Sequence, residues 1–205
     1  MPKEYFEAPL DPQVRKAVQD AVSLLESMGA EVKEVSFPMF NESQAISSTV
    51  LMSEASAFHR DLLEKDGHQL YEPVRQRLEA GLFISAADYL RAQQARTLLD
   101  QEGRRLLDDV ALLAGPTEPV TGRGIRAPRG LAGEQEIGVV GARTQYTRPY
   151  NINGFPAISV PCGFSSTGMP IGLQLAGKPF DELTVLRAAH AYEQATDWHT
   201  RRPPL

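Results

Sequence analysis

Residues able to do chemistry are thinly spread along this 205-residue chain. The adjacent hydroxyls of Ser165-Ser166 would need a base within hydrogen-bond reach to become nucleophilic. Glycines do not flank the pair on both sides and no lysine stands nearby in sequence, so a turn is the expected role. Cys162 is the single cysteine; it follows Pro161 at the end of an apolar run, with no cationic neighbour to lower its pKa. A small buried hydrophobe is expected there. The four histidines, His59, His68, His190 and His199, form no pair at ligand spacing and join no cysteine or carboxylate motif. A zinc site needs three or four converging ligands, so neither a metal nor a cofactor is expected. Asp108-Asp109 and the Glu64–Asp66 stretch put acidic side chains at helix ends, where a solvated face is the ordinary outcome. Paired carboxylates also suit glycoside hydrolysis, but nothing else in the chain points that way.

The arginines say more. From Gly115 to Tyr146 the chain carries Gly122, Gly124, Gly130, Gly133, Gly138 and Gly141, interleaved with Arg123, Arg126, Arg129 and Arg143. Backbone that allows close approach, joined to fixed positive charge, suits a carboxylate-bearing substrate. A loop with solubilising charges is the other reading, and the sequence leaves both open. No Gly-x-x-x-x-Gly-Lys-Ser/Thr pattern occurs, so a nucleotide phosphate cradle is not expected. A connection of this length without its own regular structure is usually functional or mobile.

The elements that position these residues follow from periodicity and caps. Asp11-Pro12 opens a helix, with Asp11 able to take free N–H groups and Pro12 placed where its missing N–H costs nothing. Val14, Ala17, Val18, Ala21, Leu25 and Met28 give it one apolar face, and Gly29 ends it. Glu31 to Phe37 reads as a strand closed by Pro38. Ser43 to Glu64 reads as one amphipathic helix carrying Ile46, Val50, Ala55, Phe58 and Leu62, followed by a shorter helix over Glu72 to Gly81. A capping box at Ser85-Ala86-Ala87-Asp88 opens the longest helix, to about Leu107. Val110 to Ala114 reads as a buried strand. Beyond the long loop come strands over Ala157–Pro161 and Ile171–Ala176, then a helix from Asp181-Glu182 to about Thr196. This order predicts an α/β fold, a mixed sheet covered by helices, in a single domain over 1–205.

Composition narrows the class of protein. Hydrophobic residues make up 42% and charged residues 23%, which is globular and not disordered. The net charge of -5 offers no basic footprint, so no nucleic-acid partner is expected. No apolar run reaches bilayer length, so no membrane partner is expected either. One cysteine excludes an intrachain disulfide and points to a reducing compartment, the cytoplasm. The opening Met-Pro-Lys-Glu-Tyr-Phe lacks the apolar core of a signal peptide.

Asn151 to Gly177 reads Asn-Ile-Asn-Gly-Phe-Pro-Ala-Ile-Ser-Val-Pro-Cys-Gly-Phe-Ser-Ser-Thr-Gly-Met-Pro-Ile-Gly-Leu-Gln-Leu-Ala-Gly. These two proline-led apolar runs around a turn resemble the C-terminal strand pair of the amidase signature enzymes, which use a Ser–Ser–Lys triad. The opening Pro-Lys-Glu-Tyr-Phe with Asp-Pro-Gln-Val is similar to the middle of those proteins. Pro73-Val74-Arg75-Gln76-Arg77-Leu78 with Tyr89-Leu90-Arg91-Ala92-Gln93 resembles their long helical insert. Leu113-Ala114-Gly115-Pro116-Thr117-Glu118-Pro119 resembles the strand and loop beneath their active site.

The resemblance implies the C-terminal part of the amidase signature α/β/α fold. It implies a small amide substrate for the complete enzyme and a partner in the missing N-terminal half, or in a second copy of the chain. The Gly/Ser-rich segment and the lysine of the triad do not occur in these residues, so no catalytic residue is assigned and no activity is expected of the chain alone. By the same resemblance Thr117, Tyr146, Thr147 and Asn151 line the substrate pocket, and Arg77 falls where one branch places a substrate-binding arginine. The residue types alone also allow Asn151 to tie down its own turn and Arg77 to sit on an exposed helix. Two further readings follow. One is the glutaminase-type component of a tRNA-dependent amidotransferase; that branch carries an acidic residue, to hold glutamine's ammonium, where this chain has Thr144. The other is a non-catalytic module that self-associates through an uncovered half-sheet.

Overall fold

A computed structural model describes residues 1–122 and 142–202. After a one-turn helix α1 (Glu4–Glu7), the chain enters α2 (Pro12–Ser27), where the Asp11 carboxylate accepts the Gln13 N–H at 2.7 Å. Gly29, at φ +102°, takes the left-handed turn that follows. The helical insert comprises α3 (Ser43–Phe58), α4 (Arg60–Asp66), α5 (Glu72–Gly81) and α6 (Ala86–Asp109). Strand β1 (Leu112–Pro116), helix α7 (Arg148–Asn153), strands β2 (Ala157–Phe164) and β3 (Pro170–Gly177), and helix α8 (Glu182–Gln194) complete the order.

The sheet runs β1-β3-β2 and both ladders are antiparallel, with Leu113 opposite Ala176 and Val160 opposite Leu173. One face presents Ile171, Leu173, Leu175, Val160 and Cys162 to Val14, Val18, Ala21 and Val22 of α2 and to Ala189 and Tyr192 of α8. On the other side Leu113 and Ala176 join an aromatic core of Tyr5, Phe37, Phe40, Tyr146 and Tyr150, closed by Leu99 and Leu107 of α6. Helices on both faces give the α/β layering that the element order predicts. Each fully buried large apolar side chain in these two cores contributes on the order of 1.5–3 kcal/mol. No helix among the described residues is long and apolar enough to cross a membrane.

Two expectations are corrected. Glu31–Phe37 is not a sheet strand: its pairing is a single parallel bridge between Val35 and Pro2. Its would-be neighbour turns into α1 at Glu4 and so cannot extend a ladder, while the Glu4 carboxylate takes the Phe37 N–H and the Ser36 hydroxyl instead. Among the described residues, parallel pairing is limited to that bridge. The helix expected over Ser43–Glu64 breaks at His59, whose φ of -96° and ψ of 16° leave the helical well. Phe58, the last residue of α3, is 84% exposed, although the period places it on the apolar face.

Candidate active-site wall

A cavity of about 520 Å³ opens between α3, α5, α6 and α7. The close packing of α3 on α5, with Ser56 Oγ donating to the Leu78 carbonyl at 2.6 Å, sets one wall. Arg77 of α5 and Ser47 of α3 line the cavity from this side. The other wall is α7 with the turn before it: Arg148 donates to Thr144 Oγ1 at 2.7 Å, and Asn151 stands exposed at the rim. Arg96 ties α6 to α7, since its Nε–H donates to the Ile152 carbonyl at 2.7 Å. Burial pushes the Arg148 guanidinium below its ordinary pKa, without bringing it near neutrality at physiological pH.

The residues expected in a substrate pocket divide among four places. Arg77 and Asn151 meet in this cavity although they are far apart in sequence. Thr147 is half-buried in the turn, its hydroxyl donating to the Thr144 carbonyl at 3.2 Å. Tyr146 is wholly buried: its ring packs on Tyr5 and Phe40, its hydroxyl donates to the Tyr5 carbonyl at 2.9 Å, and its own carbonyl accepts Gln174 Nε2 at 2.8 Å. Thr117 lies in a second recess of about 380 Å³, on the sheet face beyond the end of β1. There its hydroxyl pairs with Ser159 Oγ at 2.6 Å, directly above Gly172. A Cβ on Gly172 would stand 2.6 Å and 2.7 Å from those two oxygens, so the hydroxyl pair needs glycine beneath it.

Of the loop arginines, Arg143 bonds Glu118 at 3.0 Å beside that recess. Arg123, Arg126 and Arg129 lie outside the described residues. Ser165-Ser166 forms the β2–β3 hairpin turn: Ser165 N–H donates to the Met169 carbonyl at 2.8 Å, and Ser165 Oγ accepts the Met169 N–H at 3.1 Å. Cys162 is 4% exposed, and burial, aided by the charge of Asp20, pushes its thiol up to about 12. It is a protonated core residue, not a thiolate. Among the described residues no three His, Cys, Asp or Glu side chains converge as metal ligands.

Sequence reading missed Arg96, Arg148 and Ser159. Arg148 left no signal, because an arginine beside Pro149 in a turn reads as surface. Arg96 was hidden in the polar pattern of a long helix. Ser159 alternates with apolar neighbours in β2 and was legible as an outward hydroxyl, though not as the partner of Thr117.

What the cavity can do is hold a small molecule by cationic and amide donors against an apolar floor. Known proteins carry the same architecture. Residues 1–186 match the family model described as amidase. The chain is 36% identical to an amidase of Pseudomonas putida over 213 residues, covering all of this chain and 44% of that protein. It is 35% identical to the A component of a glutamyl-tRNA(Gln) amidotransferase from a Roseiflexus species, again over the whole chain and 46% of the relative. A crystal structure of an amidase superposes with a TM-score of 0.82 at 28% identity, over 95% of this chain and 44% of that one. The chain thus spans less than half the length of the curated relatives it matches.

Proposed function

The chain belongs to the amidase family, and on that premise we propose that it forms the sheet and the substrate-pocket wall of an amide C–N hydrolase. In the family's reaction a serine attacks the amide carbonyl, lysine acting through a second serine moves the proton, and backbone N–H groups hold the oxyanion. The C–N bond then breaks, the amine leaves with the transferred proton, and water releases the acid from the acyl-serine. The groups that perform those steps are to come from protein outside these 205 residues. Within this proposal Thr117, Thr147, Asn151 and Arg77 contact substrate, and Tyr146 holds its turn from behind. The observation that supports it best is the convergence of Arg77 with Thr144 and Asn151, from two segments far apart in sequence, on one cavity. A reducing compartment, the cytoplasm, fits the single cysteine.

The test is an amidase assay of the purified chain across aliphatic, aromatic and ureido primary amides. No turnover above buffer is expected. Turnover that survives Ser165→Ala with Ser166→Ala would place the chemistry elsewhere in the chain and overturn the assignment.

The amidotransferase reading has the Roseiflexus relative in its favour. Against it stands Thr144, which faces the cavity in place of a carboxylate for glutamine's ammonium. Ammonia release from glutamine by the complete enzyme separates the two. A self-associating, non-catalytic module is favoured instead by the exposure of Phe180, Phe83 and Phe58 at 94%, 88% and 84%.

A further inference from the structure

Strand β1 is an edge of the sheet among the described residues. The Thr117 N–H donates to the Gly172 carbonyl at 3.0 Å, which fixes the phase of the β1–β3 ladder. Leu113 and Gly115 therefore turn their backbone groups to β3, while Leu112 and Ala114 turn theirs away and find no backbone partner among the described residues. Both line a groove of about 410 Å³, whose other side is formed by residues 30–33. Met1, Leu25, Val32, Leu175 and Ala188 make its surface apolar, and all but Leu175 stay partly exposed. The charges at its rim, Glu31 and Lys33, are paired with each other at 3.0 Å. Beside the groove one short piece of backbone is already matched strand to strand: the Val35 N–H donates to the Met1 carbonyl, and the Lys3 N–H to the Val35 carbonyl, each at 2.9 Å. An apolar molecule alone would cover the N–H and C=O groups of Leu112 and Ala114 without bonding them, which is costly. Extended polypeptide bonds them and fills the channel together. The β1 edge of a second copy cannot do this, since it lies recessed in an identical groove.

More than half of the Pseudomonas and Roseiflexus relatives lies beyond the stretch that this chain matches. Resting on the reading that further protein completes this chain, we propose that the groove receives an extended apolar segment of that protein as a strand added to the free edge of β1. In the isolated chain the slot is open, and it takes such a segment in trans, as a separate peptide.

Isothermal titration and amide hydrogen exchange on the 205-residue chain test this without any turnover. The probes are the peptide acetyl-Lys-Val-Ile-Val-Lys-amide and the same peptide N-methylated at its three central residues, which keeps the apolar side chains and removes their N–H donors. The first is expected to bind saturably and to slow exchange of the Leu112 and Ala114 amides at least about tenfold, leaving Leu113, already bonded to β3, unchanged. The N-methylated peptide is expected to bind at least about tenfold more weakly. Ala114→Pro removes an outward N–H at a sheet edge, where proline is tolerated, and is expected to weaken the first peptide about tenfold. Circular dichroism verifies that this variant folds; if it does not, the comparison of the two peptides decides alone. Equal affinity for the two peptides, binding without protection of Leu112 and Ala114, or no saturable binding would each overturn the slot. These results read binding alone, whereas the amidase reading stands or falls on turnover.

Discussion

Glu4 shows how one side chain replaces a strand. It is 5% exposed, and its two oxygens accept the Phe37 N–H at 2.8 Å and the Ser36 hydroxyl at 2.7 Å. Burial alone would raise its carboxyl pKa, but the hydrogen bonds from Phe37 and Ser36 outweigh burial and hold it below the ordinary range. A depressed folded pKa means stability that is present above the unfolded value, about 4.3, and lost as pH falls through the lower folded value. Glu4→Gln is therefore expected to cost about 1–3 kcal/mol at neutral pH. The wild type should lose that advantage as pH falls from the unfolded value through the lower folded one. Urea unfolding from pH 7 to pH 3 measures it, and parallel pH profiles for the two proteins would count against this role. The sequence gives no hint of Glu4, since a lone glutamate near a terminus reads as solvated. Arg77 and Asn151 were named only through the family resemblance, since their residue types alone read as a surface arginine and an asparagine tying its own turn. Arg96 was not, because its role is defined by a carbonyl 56 residues away.

Among the elements, the α3–α5 contact decides the width of the cavity. At Gly81 an added Cβ would lie 2.0 Å from Ser56 Oγ and 2.2 Å from the Met52 carbonyl oxygen, which is backbone and cannot swing aside. Intrinsic helix propensity favours alanine over glycine by about 1 kcal/mol. Gly81→Ala is nevertheless expected to destabilise the protein by about 1–3 kcal/mol, as overpacking does. Denaturant unfolding checks this, and a stabilised variant would mean that the helices separate freely there. Helix starts were the most legible features: Asp11, Ser85 and Asp181 each accept the N–H that their sequence position predicts. The break at His59 was not, because both pieces keep the same apolar period and only one residue leaves it.

At the scale of the whole molecule, two cores cover the middle of the sheet, while Phe58, Phe83 and Phe180 face water. Phe180 does so at φ +64°, a conformation that costs a non-glycine residue on the order of 1 kcal/mol or more. Relatives of more than twice this length have further protein to set against such surfaces. The isolated chain is expected to associate at micromolar concentration, and Phe180→Ser with Phe83→Ser to reduce that association. Sedimentation velocity reads it, and a single monomeric species in the unaltered chain would contradict the expectation. The amino-acid order by itself determined the starts of the longer helices, the hairpin and the α/β class, because caps, turns and periodicity act between near neighbours in the chain, and its motifs resembled the family that the chain belongs to. Tertiary structure alone decided that Glu31–Phe37 stays out of the sheet, that Tyr146 turns into the core, and that three arginines share one cavity. Those outcomes depend on which distant surfaces pack together, and packing is set by the shape of the assembled layers, not by the local pattern of any one segment.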